Sequence, residues 1–531
     1  MYKVFWNISF ILLILFSCGS HTEDETVKVF HYNQPQKITS LDPAFAKSQN
    51  NIWAVHHLYN TLVQLDQDLN IEAGLASKWL VSEDGLTYTF TLKDSILFHD
   101  NQCFNNVEAR ILTASDVVFS FNRIIDNKVN SPGSWVFRGK VSEINPFEAP
   151  NDSTVIVHLD KPFLPMLNIL SMKYCAVVSK KALDYYEAEY RTNPVGTGPF
   201  KFKRWIENQG LYLIQNDSYY EGKSALDGVR ISFIEDRKVA FLELLQGNLE
   251  FVNGLESSFI NELLDRDGNL KENHKNNIQF HKNPYLNFEY LGINMDALDK
   301  HPALEDVRVR QALNYAIDRE TMLSSLRNNI GYPADSGVIP RGLPSYNKTK
   351  VPGYVFDLEK ARQLLAEAGY ENGENFGELA IHTNKDYLDI TTYVAKQWER
   401  LGINTSIQLL ESASLREGMR KGNLGIFRAS WIADYPDGEN FLSLFYSGNP
   451  APPRYTRFSS STFDALYEQS IAQTDLEKKY NLYHEMNKIL VNESPVIFLF
   501  YDESAWFVSK DIEGIENNAL NMLNVKQLIE K

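Results

Sequence analysis

Two hydrophobic periods interleaved along one chain constrain the fold most. Leu86, Tyr88, Phe90 and Leu92 alternate strictly with threonine, the period of a half-buried strand, and Asp84 and Gly85 supply a turn before it. From Val309 the period changes. Val309, Ala312, Leu313, Ala316 and Ile317 recur at i, i+3, i+4, i+7 and i+8, one face of a helix, which leaves Arg308, Arg310 and Asp318 pointing outward. Two more helices carry their own start signals. Thr113 with Asp116 three residues later forms a capping box ahead of Val117, Phe121 and Ile124. Asp357 caps a segment with Leu358, Ala361, Leu365 and Ala368 on one side and Gly369 as its stop. Both kinds of element are interspersed without tandem repeats. That excludes an all-helical bundle and an all-β sandwich and predicts an α/β fold, with mixed sheets covered by helices.

The amino terminus bears on the compartment. Lys3 is the only charge before the apolar run Val4 to Phe16, too short to span a bilayer and of signal-peptide length, so export is expected. Leu15, Phe16, Ser17 and Cys18 resemble the lipobox of bacterial lipoproteins, which implies a signal peptide over 1–17 and acylation of Cys18. An acylated protein is anchored to a membrane without spanning it. The polar, acidic residues 18–25 then read as a tether.

The rest of the chain has the composition of a folded body. With 531 residues, 44% of them hydrophobic, there is apolar surface for a core and length for roughly three domains of ~150 residues. The net charge of −16, one unit more negative once Lys3 leaves with the leader, argues against nucleic acid or anionic lipid as the ligand. Besides Cys18 the cysteines are Cys103 and Cys175, and sequence leaves open whether they pair or stay as two buried thiols.

One segment combines a strand with charges. Counting by two from Arg428 passes Ser430 and Ile432 and reaches Asp434, so in an extended chain all four share a face. Tyr435, Pro436, Asp437 and Gly438 supply the turn that ends the strand. A zwitterion such as a short peptide needs this pair of charges, a carboxylate for its ammonium and a guanidinium for its carboxylate. Taken alone, an aspartate before a proline turn is more often a local backbone cap.

Six segments then occur in a recognisable order: ITSLDPAFA from Ile38, GLASKW from Gly74, LTASDVVFSFNRIID from Leu112, NPVGTGPFKF from Asn193, DVRVRQALNYAIDR from Asp306 and WIADYPDGENF from Trp431. Through them the chain, from about Val29 to Val508, resembles the extracytoplasmic solute-binding proteins of peptide ABC importers, family 5, of the oligopeptide- and dipeptide-binding type. The resemblance implies a type II periplasmic-binding-protein-like clamp of two lobes, with an additional α/β domain near the amino terminus. Lobe I would take residues 26–50, 190–285 and 495–531, the extra domain 51–189 and lobe III 286–494. The chain would cross between lobes near His281 to Leu291 and Asn492 to Phe500.

The same resemblance assigns roles. Asp434 would hold a peptide's ammonium and Arg428 the carboxylate of a short ligand. Ser430, Trp431 and Ile432 would bond the peptide backbone from one lobe, and Lys37, Ile38 and Thr39 from the other, as a strand added to a sheet edge. Trp135, in SPGSW, is a further candidate wall. Where many members have Asp-Pro after the recognition aspartate, this chain has Asp437 then Gly438, expected to loosen the loop. Six strand residues cover about 20 Å, longer than a dipeptide. The implied protein is a monomer that delivers peptides to the transmembrane subunits of an ABC permease, lipid-anchored on an extracytoplasmic face of the cell envelope. Related folds bind nickel complexes, haem or other small solutes, which remain the alternative ligands.

An enzyme, such as a zinc-dependent surface peptidase, is the other class. His484 and Glu485 open an HExx sequence, but Lys488 stands where the second ligand belongs. His56 and His57 are adjacent, so on a helix they point about 100° apart and form no metal pair; a structural or superficial role is expected. GxSxG is absent and the cysteines lack metal-like spacing. No catalytic residue, metal or cofactor is predicted.

Overall fold

The computed structural model describes residues 27–255, 259–298 and 301–531. The expected signal peptide, the expected tether and Cys18 therefore lie outside the described residues. The alternating threonine run becomes the strand Thr87–Leu92, with Tyr88, Phe90 and Leu92 buried. It sits inside a four-stranded sheet between Ala76–Val81 and Thr154–His158, with Phe147–Asn151 beyond. The capping box forms at the start of the helix Ala114–Ile125, the Thr113 N–H donating to Asp116 Oδ2 at 3.0 Å. Asp357 caps Leu358–Glu367 through the Lys360 N–H at 2.9 Å.

The helix Val307–Tyr315 buries Val309, Ala312 and Leu313, but Arg310 departs from the outward position its type implied. It is 3% exposed. Its Nε and Nη2 donate to the Glu493 carbonyl at 3.0 and 2.8 Å, and Nη1 donates to the Leu304 carbonyl at 2.7 Å. Glu493 ends the helix Leu476–Glu493, where terminal carbonyls have no intrahelical donor. A guanidinium with five N–H groups is well suited to take them, so burial here follows from satisfied hydrogen bonds rather than hydrophobicity.

Ten strands run in one hydrogen-bonded path, with Tyr332–Pro333 as an eleventh off it. At one end lie Phe200–Ile206, Gly210–Gln215, Gly228–Ser232, Val29–Asn33 and Phe251–Asn253; at the other lie Asn404–Leu409, Glu378–Thr383 and Ile426–Ile432. Two long antiparallel strands, Ile278–Ile293 and Val496–Ser509, join the halves. Their pairing breaks register between Pro284 and Phe288 and again between Glu289 and Tyr290. Each strand therefore contributes one stretch to each half. Before the break Phe280 faces Phe507; after it Leu291 faces Ile497.

The core divides along the same line. One cluster packs Tyr32, Trp53, Phe251 and Trp506 together with Phe90, Phe121 and Phe147 from the residues between. Three others hold Phe288, Tyr483 and Phe498; Leu313, Trp398 and Ile497; and Phe241, Leu263 and Phe507. Cys103 and Cys175 are free thiols, the second buried. Among the described residues no helix is long and apolar enough to cross a membrane.

Candidate functional site

The strand Ile426–Ile432 pairs antiparallel with Asn287 to Ile293 along its whole length. On its other edge it meets Glu378–Thr383 only at Ile426 and Phe427. Among the described residues, no strand partner covers that edge from Arg428 to Ile432. An open edge offers backbone donors and acceptors to an added extended segment.

The turn after the strand separates two aspartates that look equivalent in sequence. Asp437 does the local work: Oδ1 accepts from the Glu439 N–H at 2.9 Å and from the Tyr483 hydroxyl at 2.6 Å. Its Oδ2 accepts from Lys479 Nζ at 2.8 Å, a side chain with no exposed surface. Gly438 tightens this turn instead of loosening it. A Cβ there would stand 2.7 Å from Ser345 Oγ and 3.0 Å from the Tyr483 ring, so the backbone approaches its neighbours closer than any side chain allows.

Asp434 is left free of turn duties. Its N–H donates to Asn440 Oδ1 at 3.2 Å, the atom that also accepts from Trp431 Nε1 at 2.8 Å. Among the described residues no cation lies within ion-pairing distance of its carboxylate. Asp434 keeps exposed surface, but it opens on a cavity of about 870 Å³ that Ile432, Ala433, Tyr435 and Pro436 also line. The surrounding protein raises its pKa to about 6 by desolvation; a bond from Asn440 opposes this, the Glu439 charge adds to it and the Lys140 charge opposes it.

Arg428 has a different fate. It is not among the residues lining this cavity. Its Nη2 donates to Glu289 Oε2 at 2.5 Å, in a pair whose side chains are 11% and 3% exposed, and its guanidinium lies over the Tyr387 ring at 3.0 Å from the centroid. Glu289 faces Ser430 in the ladder, so it lies diagonal to Arg428 on one sheet face. The two charges that share a face in sequence are thus parted: one is neutralised inside the protein, the other is not.

The partner segment is also displaced from its sequence-based position. Pro35 and Gln36 line the cavity, and Lys37, Ile38 and Thr39 do not. Lys37 pairs with Glu235 at 3.1 Å, Ile38 is core, and the Thr39 N–H and carbonyl are taken by Asn51 Oδ1 and Arg191 Nη1 at 3.1 and 3.2 Å. Trp135 stacks on Tyr435 with ring centroids 6.5 Å apart, supporting a residue of the cavity wall from behind. Lys140, next to it, donates to the Trp135 carbonyl at 2.9 Å. Burial lowers the Lys140 pKa, and the charges of Glu439 and Asp434 oppose that shift.

Sequence reasoning passes over several wall residues. The helix Gln49–Leu58 ends at His56 and His57, which line the cavity, so they are not superficial. Gly196 and Gly198 of the NPVGTGPF segment seat that helix end: a Cβ would come within 2.0 Å of the Leu58 carbonyl oxygen and 2.4 Å of its carbon. His57 Nε2 lies 3.1 Å from the Tyr32 hydroxyl. Lys173 and Tyr174 come from the 3₁₀ turn Lys173–Cys175, which carries no motif. The HExx sequence forms no metal site. His484 Nε2 bonds the Ser345 carbonyl and Glu485 pairs with Lys488, and no cluster of metal-ligating side chains occurs among the described residues.

Known proteins share this architecture. A family model described as bacterial extracellular solute-binding proteins, family 5 Middle, matches residues 70–453. Heme-binding protein A of Haemophilus influenzae is 30% identical over 83% of this chain and 81% of its own length. The dipeptide-binding protein of Escherichia coli is 28% identical over 86% of each. The solved structure of the ABC transporter-associated periplasmic binding protein DppA from Helicobacter pylori, in complex with peptide STSA, matches with a TM-score of 0.77 and 25% identity, over 95% of this chain and 98% of that one.

Proposed function

The chain belongs to the bacterial extracellular solute-binding proteins of family 5, and from that premise we propose that it captures short peptides between two lobes and delivers them to the transmembrane subunits of an ABC permease. The observation that carries the reading is the Asp434 carboxylate: among the described residues it faces the cavity without a cation, beside a strand edge without a partner, while Asp437 serves the turn. An ammonium entering there gains a counter-charge facing the cavity, and its backbone finds an edge to bond. Main-chain bonds give affinity whatever the side chains are, which suits a carrier of varied peptides.

The domain limits follow the same reading: lobe I at 26–50, 190–285 and 495–531, the extra domain at 51–189, and lobe III at 286–494. The register break of the two long strands is the hinge, since a paired ladder without it would resist bending. Ligand that touches both lobes holds the clamp closed, and the closed form is what the permease receives. The protein works as a monomer, anchored through acylated Cys18, and makes or breaks no bond in its ligand.

Asp434→Ala is the direct test. Affinity for peptides with a free amine falls far more than affinity for amino-blocked ones; equal losses would refute the assignment. A second reading, haem or a nickel complex as cargo, is favoured by the likeness to heme-binding protein A and by His56, whose Nδ1 is buried in the cavity wall without a bond. Thermal shift with peptide mixtures, haem and nickel separates the readings: stabilisation by haem or nickel alone replaces peptide as the cargo.

A further inference from the structure

The cavity wall holds a second unpaired charge, a cation. Lys173 lines the cavity and is only partly exposed. Among the described residues its ammonium has no carboxylate within ion-pairing distance and no hydrogen bond. The pKa is lowered to about 8 by burial alone, whereas a counter-charge nearby would push it up. The groups that feel its charge are the rings of His56 and His57, both depressed first by burial and then by Lys173, His57 to about 3. Both imidazoles are therefore neutral at pH 7, and neither offsets the ammonium. His56 Nδ1 is buried with no hydrogen-bond partner among the described residues. A half-buried cation with no anion is costly to keep in a folded protein, and it is relieved when an anion arrives.

Other cations on this wall are less suited. Lys47 is exposed and so screened by water, and Arg237 already donates to the Asn253 carbonyl at 2.9 Å. Lys526 pairs with Glu221 at 3.6 Å, and Arg428, which does not line the cavity, is closed off by Glu289. Tyr174, the residue after Lys173, lies within reach of the Asp434 charge, which adds to the rise in its pKa. An ammonium site and an unpaired ammonium thus face one cavity, one on the segment after Ile426–Ile432 and the other on the turn Lys173–Cys175.

Resting on the proposed capture of peptides, we propose that Lys173, with His56 beside it, receives the carboxylate of the peptide whose amine Asp434 holds. The two charges of one ligand are then gripped by separate parts of the protein, so closure requires both ends. The ligand class is a short peptide with a free amine and a free acid.

The test uses the full chain, stripped of bound solute by unfolding and refolding, with a randomised tripeptide library offered as free acids and as carboxamides and binding read by calorimetry. Wild type prefers acids by roughly 10- to 100-fold, the range for hydrogen bonds to charged groups. Lys173→Met removes the preference while leaving amide binding, Lys173→Gln behaves alike, and Lys173→Arg keeps most of it. The unliganded melting temperature of Lys173→Met stays at or above wild type, since an unpaired ammonium is lost. A preference that survives in both neutral variants overturns the proposal, as does wild type binding acids and amides equally. If wild type binds the libraries and Asp434→Asn weakens both forms alike, the peptide reading stands and the Lys173 assignment alone is judged by the acid preference. If wild type binds neither library, both fall.

Discussion

Arg428 and Asp434 stand six residues apart on one segment, and their environments are opposite. Arg428 is enclosed by Glu289 and the Tyr387 ring, within the sheet that joins the halves. Asp434 lies just past the strand end, faces the cavity, and has only the Asn440 amide and distant charges for company. A charge paired inside the protein contributes to the fold; a charge left unpaired at a cavity is open to an incoming partner of opposite sign, the role proposed for Asp434. The difference lies in the partners each residue meets, not in the residue type.

The largest effect that sharpens this contrast is on stability. Glu289→Ala leaves the Arg428 guanidinium buried without its anion and costs about 3–5 kcal/mol, read by chemical denaturation. A double substitution, Glu289→Leu with Arg428→Met, recovers most of that loss. A cost below about 1 kcal/mol for the single change, a surface-pair value, would erase the distinction between the two charges.

Asp434→Asn is expected to do the reverse. Binding of free-amine peptides weakens by about 2–3 kcal/mol, measured by calorimetry, while the unliganded fold loses nothing. The folded pKa of Asp434, about 6, lies above its ordinary value of 3.8. The ionised carboxylate therefore opposes folding at neutral pH, and that penalty disappears as pH falls through 6 toward 4. Asp434→Asn should melt at or above wild type at pH 8, with the difference closing by about pH 4.

Ligand binding has its own pH signature. An incoming ammonium favours the ionised carboxylate, so affinity for amine-bearing peptides falls below about pH 6, by up to roughly tenfold per unit, and binding there releases a proton. Titrations in buffers of different ionisation enthalpy measure the release, and Asp434→Asn abolishes it. A pH dependence unchanged in that variant would assign the proton to another group. The smallest effect belongs to Trp135: Trp135→Leu removes the ring stacked on Tyr435 and weakens ligand binding by about 0.5–1.5 kcal/mol, read by the same calorimetry, with little change in the unliganded melting temperature.

Local signals are legible wherever one segment decides its own structure. The threonine alternation, the Thr113 capping box and the Asp357 cap all become the elements their residues specify, because period and capping act over a few residues. The turn at Pro436 is legible as well, but not which aspartate serves it: position before proline points to Asp434 as the cap, and Asp437 makes the bonds. Lys479, which settles the matter, is 42 residues further on. Arg310 reads as outward for the same reason. Its acceptors are the carbonyl of Glu493 and those of the preceding turn, and no hydrophobic period registers a carbonyl waiting for a donor.

The sequence by itself determined the α/β class, the family and the importance of the segment around Asp434, since ordered motifs and local periods are written in consecutive residues. Tertiary structure alone decided which charges remain free. Glu289 reaches Arg428 only because two strands pair in one register, and Lys173 lines the cavity with Asp434 only because segments more than two hundred and fifty residues apart fold onto one space. Electrostatic pairing is set by distance through space, so the fold pairs one charge inside the protein and leaves the other facing the cavity, where we propose that the ligand meets it.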